Sequence, residues 1–377
     1  MNNVSPPIDA ARPTVARWRP NGFDAAVAAI DLIAADDARP ILPDLDLWDC
    51  WPLEHRDGRT VAIDRTSFWF FLSAPRFDDP GQRHDQARIR LIRRDAAGWT
   101  DLGRVIAEDA TPGSREWAGS AVLDDDLSRV TLFFTAAGRR DSPGSFEQRL
   151  FETSGRLAGL TISDWSAPVE SVASDGTRYV AARELAGVPG AIKAFRDPAL
   201  FNDPATGHDH LFFTGSAGWD NDAHNGLVGR ATRIDGRWRL DDPVVEAVGV
   251  NNELERPHVR RFDGRYYLFF STQRRTFADP ASAGPNGLYA LSASRLGGPW
   301  SPVNGSGLVA ANPPAEPTQA YSWWVEGDGR VASFIDHWGR AGRSFASHPG
   351  LLRSQFGGTP APEFRLDFAA DRVTIRR

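Results

Sequence analysis

The tetrapeptide Leu132-Phe133-Phe134-Thr135 returns unchanged as Leu211-Phe212-Phe213-Thr214, and three further segments of the chain resemble it. Those segments are Phe70-Phe71-Leu72-Ser73, Leu268-Phe269-Phe270-Ser271 and Ala332-Ser333-Phe334-Ile335. Successive copies lie 57 to 79 residues apart, and between them short apolar strands alternate with Gly, Pro, Asp and Asn turns. Repeated β-rich units are typical of a propeller, whose blades surround a central channel. The repeat predicts an all-β fold, a five-bladed β-propeller. The alternative is an ordinary β-sandwich with chance Phe-Phe pairs.

The chain divides at about residue 46. Residues 1–46 are rich in proline at first and then carry a helix-like apolar run from Phe23 to Ala35. This pattern predicts a short, partly helical N-terminal extension that packs on the main body. Residues 47–377 hold all five copies of the repeat, so we expect them to form the propeller as one domain.

The composition is that of an ordinary globular protein. Of the 377 residues, 41% are hydrophobic and 24% are charged, and the formal net charge is −6. A slightly negative net charge gives no sign of the basic surface that would bind nucleic acid or an anionic membrane. The single cysteine, Cys50, excludes an intrachain disulfide and a cysteine-based zinc site. The 13 tryptophans are many, and such rings either fill a large core or form platforms for the C–H faces of sugars.

The amino end shows no pattern of classical export. Residues 1–9 lack the basic and apolar regions of a standard secretory signal. The longest apolar stretch, Ala25–Ala35, is interrupted by Asp31 and is too short to span a bilayer. We therefore expect no membrane partner, and residence in the cytoplasm or export to the cell exterior by a non-classical route.

Upstream of each aromatic strand lies a short segment in which polar residues interrupt an apolar frame. The five segments are WDCW at 48–51, EWAGS at 116–120, FRDP at 195–198, LERPH at 254–258 and YSWW at 321–324. Because the first strand of each propeller blade lines the central channel, these segments should converge on one pocket. The polar side chains that they would carry into it are Asp49, Glu116, Asp197, Glu255 and Tyr321. Buried carboxylates are costly unless they are paired or used, so this cluster is a candidate site.

Two carboxyl groups that flank a glycosidic bond are sufficient for its hydrolysis or transfer. One attacks the anomeric carbon, and the other protonates the leaving oxygen and later activates the acceptor. The nucleophile must stay ionised, whereas the acid must hold its proton near neutral pH. Arg196 and Arg256 adjoin Asp197 and Glu255 in the sequence and could set these protonation states and bind hydroxyls. For Glu116 a structural role is favoured over that of a fourth catalytic acid.

Taken together, five motifs resemble those of the levansucrase and sucrose fructosyltransferase family, glycoside hydrolase family 68. They are LWDCWPL at 47–53, EWAGSA at 116–121, FRDP at 195–198, ELERPH at 253–258 and QAYS at 319–322. The resemblance runs in order from about Asp46 to about His337. Any one motif can occur by chance, so the specificity lies in the ordered set.

The resemblance implies a five-bladed propeller and a retaining double displacement on sucrose, with fructo-oligosaccharides as acceptors and no cofactor. The family's nucleophile matches Asp49, its transition-state stabiliser matches Asp197, and its general acid/base matches Glu255. Sugar-binding roles fall on Trp48, Trp117, Arg196, Glu253, Arg256, Gln273 and Tyr321.

Three positions depart from the family's pattern. Ala118 stands where a serine commonly hydrogen-bonds the nucleophile, Gln273 stands where Arg or His often shapes the acceptor side, and Trp323 replaces a usual His. These departures argue against the synthesis of long polymers and leave the cleavage of sucrose intact. No metal is expected either, because Asn252 stands where an acidic ligand of the calcium site of some relatives would precede Glu253.

Three alternatives remain open at this stage. The first is a mainly hydrolytic β-fructofuranosidase, similar to invertase, on the same scaffold. The second is a non-catalytic propeller that binds sugars, and the third is an inverting furanosidase of similar architecture. The residues alone do not distinguish the ratio of transfer to hydrolysis, the linkage formed, the product length or the oligomeric state.

Overall fold

A computed structural model describes residues 15–20, 22–24, 28–142, 144–181 and 192–377. This part of the chain is mostly β-structure, which confirms the predicted β-rich fold. Its helices are short: two 3₁₀ turns, Pro80–Asp85 and Arg274–Thr276, and one α-helical turn, α1 (Leu351–Ser354). None of the helices in the described ranges is long and apolar enough to cross a membrane.

The strands follow a short strand, β1 (Ala16–Arg17), and fall into five units in chain order. Unit 1 contains β2 (Leu45–His55), β3 (Ala62–Ile63), β4 (Thr66–Pro75), β5 (Arg88–Asp95) and β6 (Gly98–Arg104). Unit 2 contains β7 (Arg115–Leu123), β8 (Arg129–Ala137), β9 (Gln148–Ala158), β10 (Thr161–Ser163) and β11 (Val169–Val172). Unit 3 contains β12 (Phe195–Asn202), β13 (Asp209–Ser216), β14 (Gly226–Ile234), β15 (Arg237–Leu240) and β16 (Val245–Glu246). Unit 4 contains β17 (Glu255–Phe262), β18 (Arg265–Thr272), β19 (Gly287–Ala293), β20 (Ser301–Pro302) and β21 (Leu308–Ala311). Unit 5 contains β22 (Ala320–Val325), β23 (Arg330–Ile335), β24 (Phe364–Ala369) and β25 (Arg372–Ile375).

The first strand of each unit, here called the inner strand, contacts the inner strands of two other units. The inner strands are β2, β7, β12, β17 and β22, and their contacts close a ring in that order, since β22 returns to β2. Each inner strand pairs antiparallel with the second strand of its own unit, namely β4, β8, β13, β18 or β23. The inner strands of units 1 and 2 also pair with each other, in parallel.

The repeated Phe-Phe pairs lie on the second strands, and each pair fills two cores. Phe133 packs in the core that contains unit 3, whereas its neighbour Phe134 packs in the largest core of the molecule. Phe269 and Phe270 divide in the same way between two cores. Successive side chains of a strand point to opposite faces, so a second strand that is covered on both faces needs two adjacent aromatic residues. This burial explains the sequence repeat.

Every inner strand is interrupted at the same point by a shift in its pairing with the second strand. The residues just before the shift are Trp48, Trp117, Arg196, Glu255 and Tyr321, and the residues just after it are Asp49, Ala118, Asp197, Arg256 and Ser322. Four of the latter have a positive φ: Asp49 (47°), Asp197 (61°), Arg256 (51°) and Ser322 (63°). A β-bulge redirects side chains, and strained backbone of this kind concentrates at functional sites. The five bulges therefore turn two rings of side chains toward one place.

The residues before unit 1 lie against units 3, 4 and 5. Strand β1 pairs in parallel with β16, and Trp18 is fully buried, with its Nε1 2.9 Å from the carbonyl oxygen of Ser306. The helix-like run predicted from Phe23 to Ala35 falls partly on residues 25–27, which lie outside the described residues. Over residues 28–35 the prediction differs from the structure, which has no helix there. Ala29 instead forms a bridge with Ala311, so the edge of β21 takes up the backbone groups that a helix would have paired.

Candidate active site

One guanidinium connects three carboxylates at the level of the bulges. The Nη2 atom of Arg196 lies 3.0 Å from Oε1 of Glu255 and 3.7 Å from Oε1 of Glu253. Its Nε atom lies 3.6 Å from Oδ2 of Asp197. The charges of Asp49 and Glu255 in turn act on Asp197. The three carboxylates predicted to be catalytic, Asp49, Asp197 and Glu255, thus come together from the inner strands of units 1, 3 and 4.

Asp49 is held by groups from units 4 and 5. The hydroxyl of Ser322 donates a hydrogen bond to its carboxylate, and that hydroxyl accepts one from Nη1 of Arg256 at 2.6 Å. The Nη2 atom of Arg256 also donates to the carbonyl oxygen of Cys50 at 2.8 Å. Burial raises the pKa of Asp49 above 3.8, while Arg256 and Ser322 oppose that rise. Ser322 therefore holds the carboxylate of Asp49 through its hydroxyl, whereas Ala118 has no hydroxyl to offer.

Asp197 is fixed on both its backbone and its side chain. Its Oδ2 accepts hydrogen bonds from the hydroxyl of Thr214 at 2.9 Å and from the backbone N–H of Arg256 at 3.3 Å. Its own N–H donates to the hydroxyl of Thr135 at 2.8 Å. Burial raises the pKa of Asp197 to about 6, with the nearby Glu255 carboxylate adding to the rise and Arg196 opposing it. The environment thus rigidly orients this carboxylate.

Glu255 is more accessible than Asp197. Its side chain is 19% exposed, against 7% for Asp197, so it reaches the open side of the cluster. Its Oε1 accepts from Arg196, and its Oε2 accepts from the hydroxyl of Tyr321. A group that exchanges protons with successive ligands needs both such access and a fixed orientation.

Hydroxyls at the ends of the second strands connect each unit to the next. The hydroxyl of Thr135 in unit 2 accepts from Asp197 in unit 3, and that of Thr214 accepts from the N–H of Arg256 in unit 4 at 3.1 Å. The hydroxyl of Ser271 in unit 4 accepts from the N–H of Trp323 in unit 5 at 3.1 Å. These residues are the last members of three of the repeated tetrapeptides. The phenylalanines of the repeat therefore fill the cores, and its last residues hydrogen-bond the strands that form the site.

Removing one such hydroxyl should weaken both the fold and the site. Thr214 is completely buried, and Thr214→Val would leave the N–H of Arg256 and one oxygen of Asp197 without this partner. We expect a loss of roughly 1–3 kcal/mol in the free energy of unfolding, measured by urea denaturation. Thr100→Val, at an exposed strand position, is the matched control. A Thr214 variant as stable as this control would contradict the assigned role.

The residues predicted to bind sugar surround these acids. Trp48 is buried and lies edge-on to His84, with ring centroids 6.0 Å apart, while the half-buried Trp117 donates through Nε1 to the carbonyl oxygen of His84 at 3.2 Å. Burial and the neighbouring Glu255 carboxylate raise the pKa of Glu253 to about 7. Gln273 forms a side-chain hydrogen bond with Tyr321. Within the described part of the chain, three buried donors of these residues have no hydrogen-bond partner: Nε1 of Trp48, Nη1 of Arg196 and Nε of Arg256. Ligand hydroxyls are the natural acceptors for such donors.

Sequence reasoning misplaced one residue of this region and overlooked another. Glu116 was expected in the cluster, but its Oε2 accepts from the N–H of Ile89 in β5 at 2.7 Å, in keeping with the favoured structural role. It lies one residue before the position that faces the site, and alternate residues of a strand face opposite ways. His84, which joins the two tryptophans, had not been identified. It lies on a 3₁₀ turn outside the repeat, so no periodic signal marks it.

A separate cavity of about 690 Å³ lies at the other ends of the inner strands, lined in part by His55, Leu123 and Asn202. Three of the four arginines that line it are already paired with carboxylates. Among them, Arg59 contacts Asp57 at 2.7 Å, Arg260 pairs with Glu54, and Arg56 pairs with Asp209. The three candidate acids do not line this cavity, so it is not the candidate active site.

The raised pKa of Asp197 predicts a stability difference that depends on pH. Its pKa is about 6 in the folded protein against 3.8 for the free side chain, so its ionisation disfavours the folded state. The contribution of Asp197 to the free energy of unfolding is fully present below pH 3.8, and it is lost as the pH rises through about 6. Asparagine does not titrate, so Asp197→Asn should raise the melting temperature, relative to wild type, more at about pH 8 than at about pH 4.

Thermal unfolding of both proteins at the two pH values measures this effect. Subtracting one protein from the other removes the titration of the groups that do not interact with Asp197. An Asp197→Asn difference that is equal at both pH values, or smaller at the higher one, would contradict the burial cost assigned to this carboxylate.

Comparison with known proteins gives a consistent result. The family described as Levansucrase/Invertase matches residues 14–234 and 225–377. A levansucrase from Rahnella aquatilis is 31% identical over 386 residues, which cover 90% of this chain and 88% of that protein. An inulosucrase from Halalkalicoccus jeotgali, solved with bound kestose, has a TM-score of 0.84 and 36% identity, covering 96% of this chain and 95% of that one. The levansucrase of Gluconacetobacter diazotrophicus shares the fold, with a TM-score of 0.80 at 23% identity over 96% of this chain and 90% of that one.

Proposed function

Because this chain belongs to the levansucrase/invertase family, glycoside hydrolase family 68, whose members act on sucrose, we propose that it is a retaining fructosyltransferase. In this proposal sucrose is the fructosyl donor, and water or another sugar is the acceptor. The observation that carries the proposal is the meeting of Asp49, Asp197 and Glu255 around Arg196 and Arg256, on bulges of three different inner strands. The bound kestose of the inulosucrase from Halalkalicoccus jeotgali supports a fructosyl oligosaccharide as ligand.

The first chemical step forms an ester between the enzyme and the fructosyl unit. A carboxylate oxygen of Asp49 attacks C2 of the fructosyl unit, and the bond from C2 to the glucosyl oxygen breaks. Glu255 gives its proton to that oxygen, so glucose leaves as a neutral alcohol. The accessible position of Glu255 suits this proton transfer.

The second step returns the enzyme to its starting state. Glu255, now a carboxylate, takes a proton from water or from an acceptor hydroxyl, whose oxygen attacks C2 as the ester bond to Asp49 breaks. Two inversions at C2 give net retention. Asp197 accepts hydrogen bonds from fructosyl hydroxyls and steadies the positive charge that develops on the ring in both steps. The donors on Thr214 and Arg256 keep this carboxylate oriented.

We also propose that the five units are the blades of a five-bladed β-propeller, with the active site at one end of its central channel. The closed ring of inner-strand contacts and the fold similarity to the family's solved structures support this architecture. The bulges then lie at one level of the channel, which accounts for the convergence of side chains from all five units.

A mainly hydrolytic β-fructofuranosidase is the second candidate. The observation in its favour is the state of the acceptor side, where Gln273 is an uncharged amide that is already engaged with Tyr321. Trp323, at the position of the usual histidine, is fully buried. Neither residue offers a free charged group to a growing fructan chain.

Incubation with sucrose over a wide concentration range tests the proposal. Glucose reports cleavage, free fructose reports hydrolysis, and their difference reports transfer, while size and linkage analysis identifies the products. We expect glucose to exceed free fructose at high sucrose. Equal amounts at every concentration would favour the hydrolytic alternative, and unchanged sucrose would leave only a sugar-binding protein. The anomer first released, followed by NMR, would separate a retaining from an inverting enzyme.

A further inference from the structure

The only lysine of the chain lies close to the candidate active site. Among the residues that the structure describes, four oxygens surround the Nζ atom of Lys193. These are the carbonyl oxygens of Asp222 at 3.2 Å and Ala223 at 2.8 Å, and the side-chain amide oxygens of Asn225 at 2.5 Å and Asn252 at 3.3 Å. An ammonium group has three N–H donors, so this shell engages it completely.

The four oxygens belong to two segments that lie far apart in the sequence. Asp222, Ala223 and Asn225 are in the connection between β13 and β14, whereas Asn252 directly precedes Glu253 and the inner strand β17. Lys193 itself lies just before β12, three residues before Arg196 and four before Asp197. Through Asn252 the ammonium therefore ties the segment that leads into Asp197, which carries Lys193 itself, to the segment that leads into Glu255.

Neighbouring hydrogen bonds make this junction rigid. The side-chain amide of Asn252 donates to the carbonyl oxygen of Ile192 at 3.1 Å, and its backbone N–H donates to that of Thr276 at 3.0 Å. Gln148 donates to the carbonyl oxygen of Lys193 at 2.9 Å and accepts from the N–H of Phe195 at 3.1 Å. Movement of the ammonium would thus displace both the segment before Asp197 and the segment before Glu255.

The residues here do not fit the calcium ion that some relatives hold. Calcium takes six to eight oxygen ligands, carboxylates among them, whereas all four oxygens around Lys193 are uncharged. The carboxylates of Asp220 and Asp222 instead accept backbone N–H groups within their own turn. In the described part of the chain, no cluster of three or more His, Cys, Asp or Glu side chains could hold a metal ion. The charge at this junction is that of a covalently attached cation.

We propose that Lys193 is a positioning residue whose ammonium serves as a built-in cation, holding the approaches to Asp197 and Glu255 in place without a divalent metal. The kinetic part of this inference rests on the proposed function, whereas the structural part does not. A built-in cation cannot dissociate, so the geometry of the site should be independent of chelators and of added calcium.

Replacing the lysine tests the proposal. Lys193→Met keeps most of the side-chain volume and removes the charge, and Arg237→Met removes a charge from an exposed strand as the matched control. We expect Lys193→Met to lower the melting temperature by on the order of 2–4 °C. We also expect kcat on sucrose to fall roughly tenfold at a temperature far below unfolding, where a purely structural defect would leave kcat unchanged. Wild-type melting temperature and kcat should be the same in EDTA and in calcium.

Chemical rescue gives a further readout. Lys193→Ala leaves room for propylammonium, which restores the missing atoms, and we expect it to recover melting temperature and kcat together. Tetramethylammonium, which has no N–H donor, should not. A Lys193→Met variant equal to its control, or a wild-type protein that loses stability in EDTA and regains it with calcium, would overturn the proposal. A wild-type protein without activity on sucrose would refute the proposed function, whereas the melting temperatures would still decide the role of the ammonium.

Discussion

Asp49→Asn is expected to lower kcat on sucrose by roughly 10⁴-fold or more, as removal of a nucleophile does in other enzymes that form covalent intermediates. An amide cannot form the ester with C2 that the first step requires. Asparagine has the same shape and can still accept the hydrogen bond of Ser322, so the fold should persist. Steady-state release of glucose measures the effect, and circular dichroism and the melting temperature check the fold.

The control for this change lies on the same stretch of chain. Asp57→Asn removes an exposed carboxylate in the turn after β2, at the opposite end from the cluster, and should leave kcat unchanged. An Asp49→Asn enzyme that keeps more than a tenth of wild-type activity would remove Asp49 from the role of nucleophile. The raised pKa of Asp49 predicts a pH dependence for the wild-type enzyme. As the pH falls, kcat/KM should begin to decline at a pH above 3.8, which is the pKa of an unburied aspartate.

The β-rich architecture could be predicted because the sequence pattern that marks it has a direct physical cause. Two adjacent phenylalanines in a strand mean that both faces are covered, and the structure covers both faces of the second strands in this way. The extension could not be predicted so well. The alanine-rich run up to Ala35 has the composition of a helix, but residues 28–35 form none, and residues 28–30 instead pair with Ala311 at the edge of β21. Tertiary pairing overrides local propensity here.

The candidate site could be located from the spacing of its motifs, but its internal arrangement could not. A bulge adds one residue to a strand and so changes which side chains share a face. Nothing in the amino-acid sequence marks that extra residue. This is why Glu116 was expected beside the acids when Trp117 is the residue that occupies the equivalent position. It is also why Ser322 was not identified as a partner of Asp49.

The bulges also show how the same scaffold position serves different chemistry. Just before the bulge the units present two tryptophans, an arginine, a glutamate and a tyrosine, and just after it two aspartates, an alanine, an arginine and a serine. Backbone geometry is shared, so only the side chain differs from unit to unit. Each of the three carboxylates then has a cationic or hydroxyl partner, Arg196 for Glu255, Thr214 for Asp197 and Ser322 for Asp49.

Glu255→Ala should have the second large effect, and its signature differs from that of Asp49→Asn. Loss of the general acid is expected to lower kcat on sucrose by roughly 10²–10⁴-fold, because the glucosyl oxygen must then leave without a proton. An aryl β-fructofuranoside has a leaving group that needs no such help. With that substrate the ester with Asp49 should still form quickly, and a burst of phenol followed by slow turnover would report its accumulation.

Azide distinguishes the two acids directly. In Glu255→Ala the small anion can enter the space left by the side chain, form a bond to C2 from nitrogen and displace the Asp49 carboxylate, without needing a general base. The expected product is the β-fructosyl azide, with net retention, and the rate should rise with azide concentration. In Asp49→Ala azide would take the place of the nucleophile, so the product would be the inverted α-azide.

Glu170→Gln, at an exposed position of β11, is the control for loss of a glutamate. A Glu255→Ala enzyme that shows no burst, or that azide does not accelerate, would assign the proton transfer to another group. Arg196 and Tyr321 hydrogen-bond the two oxygens of Glu255, so the loss of this side chain could also disturb sucrose binding. If Glu255→Ala still binds sucrose but has lost its activity, the loss is due to proton transfer and not to binding.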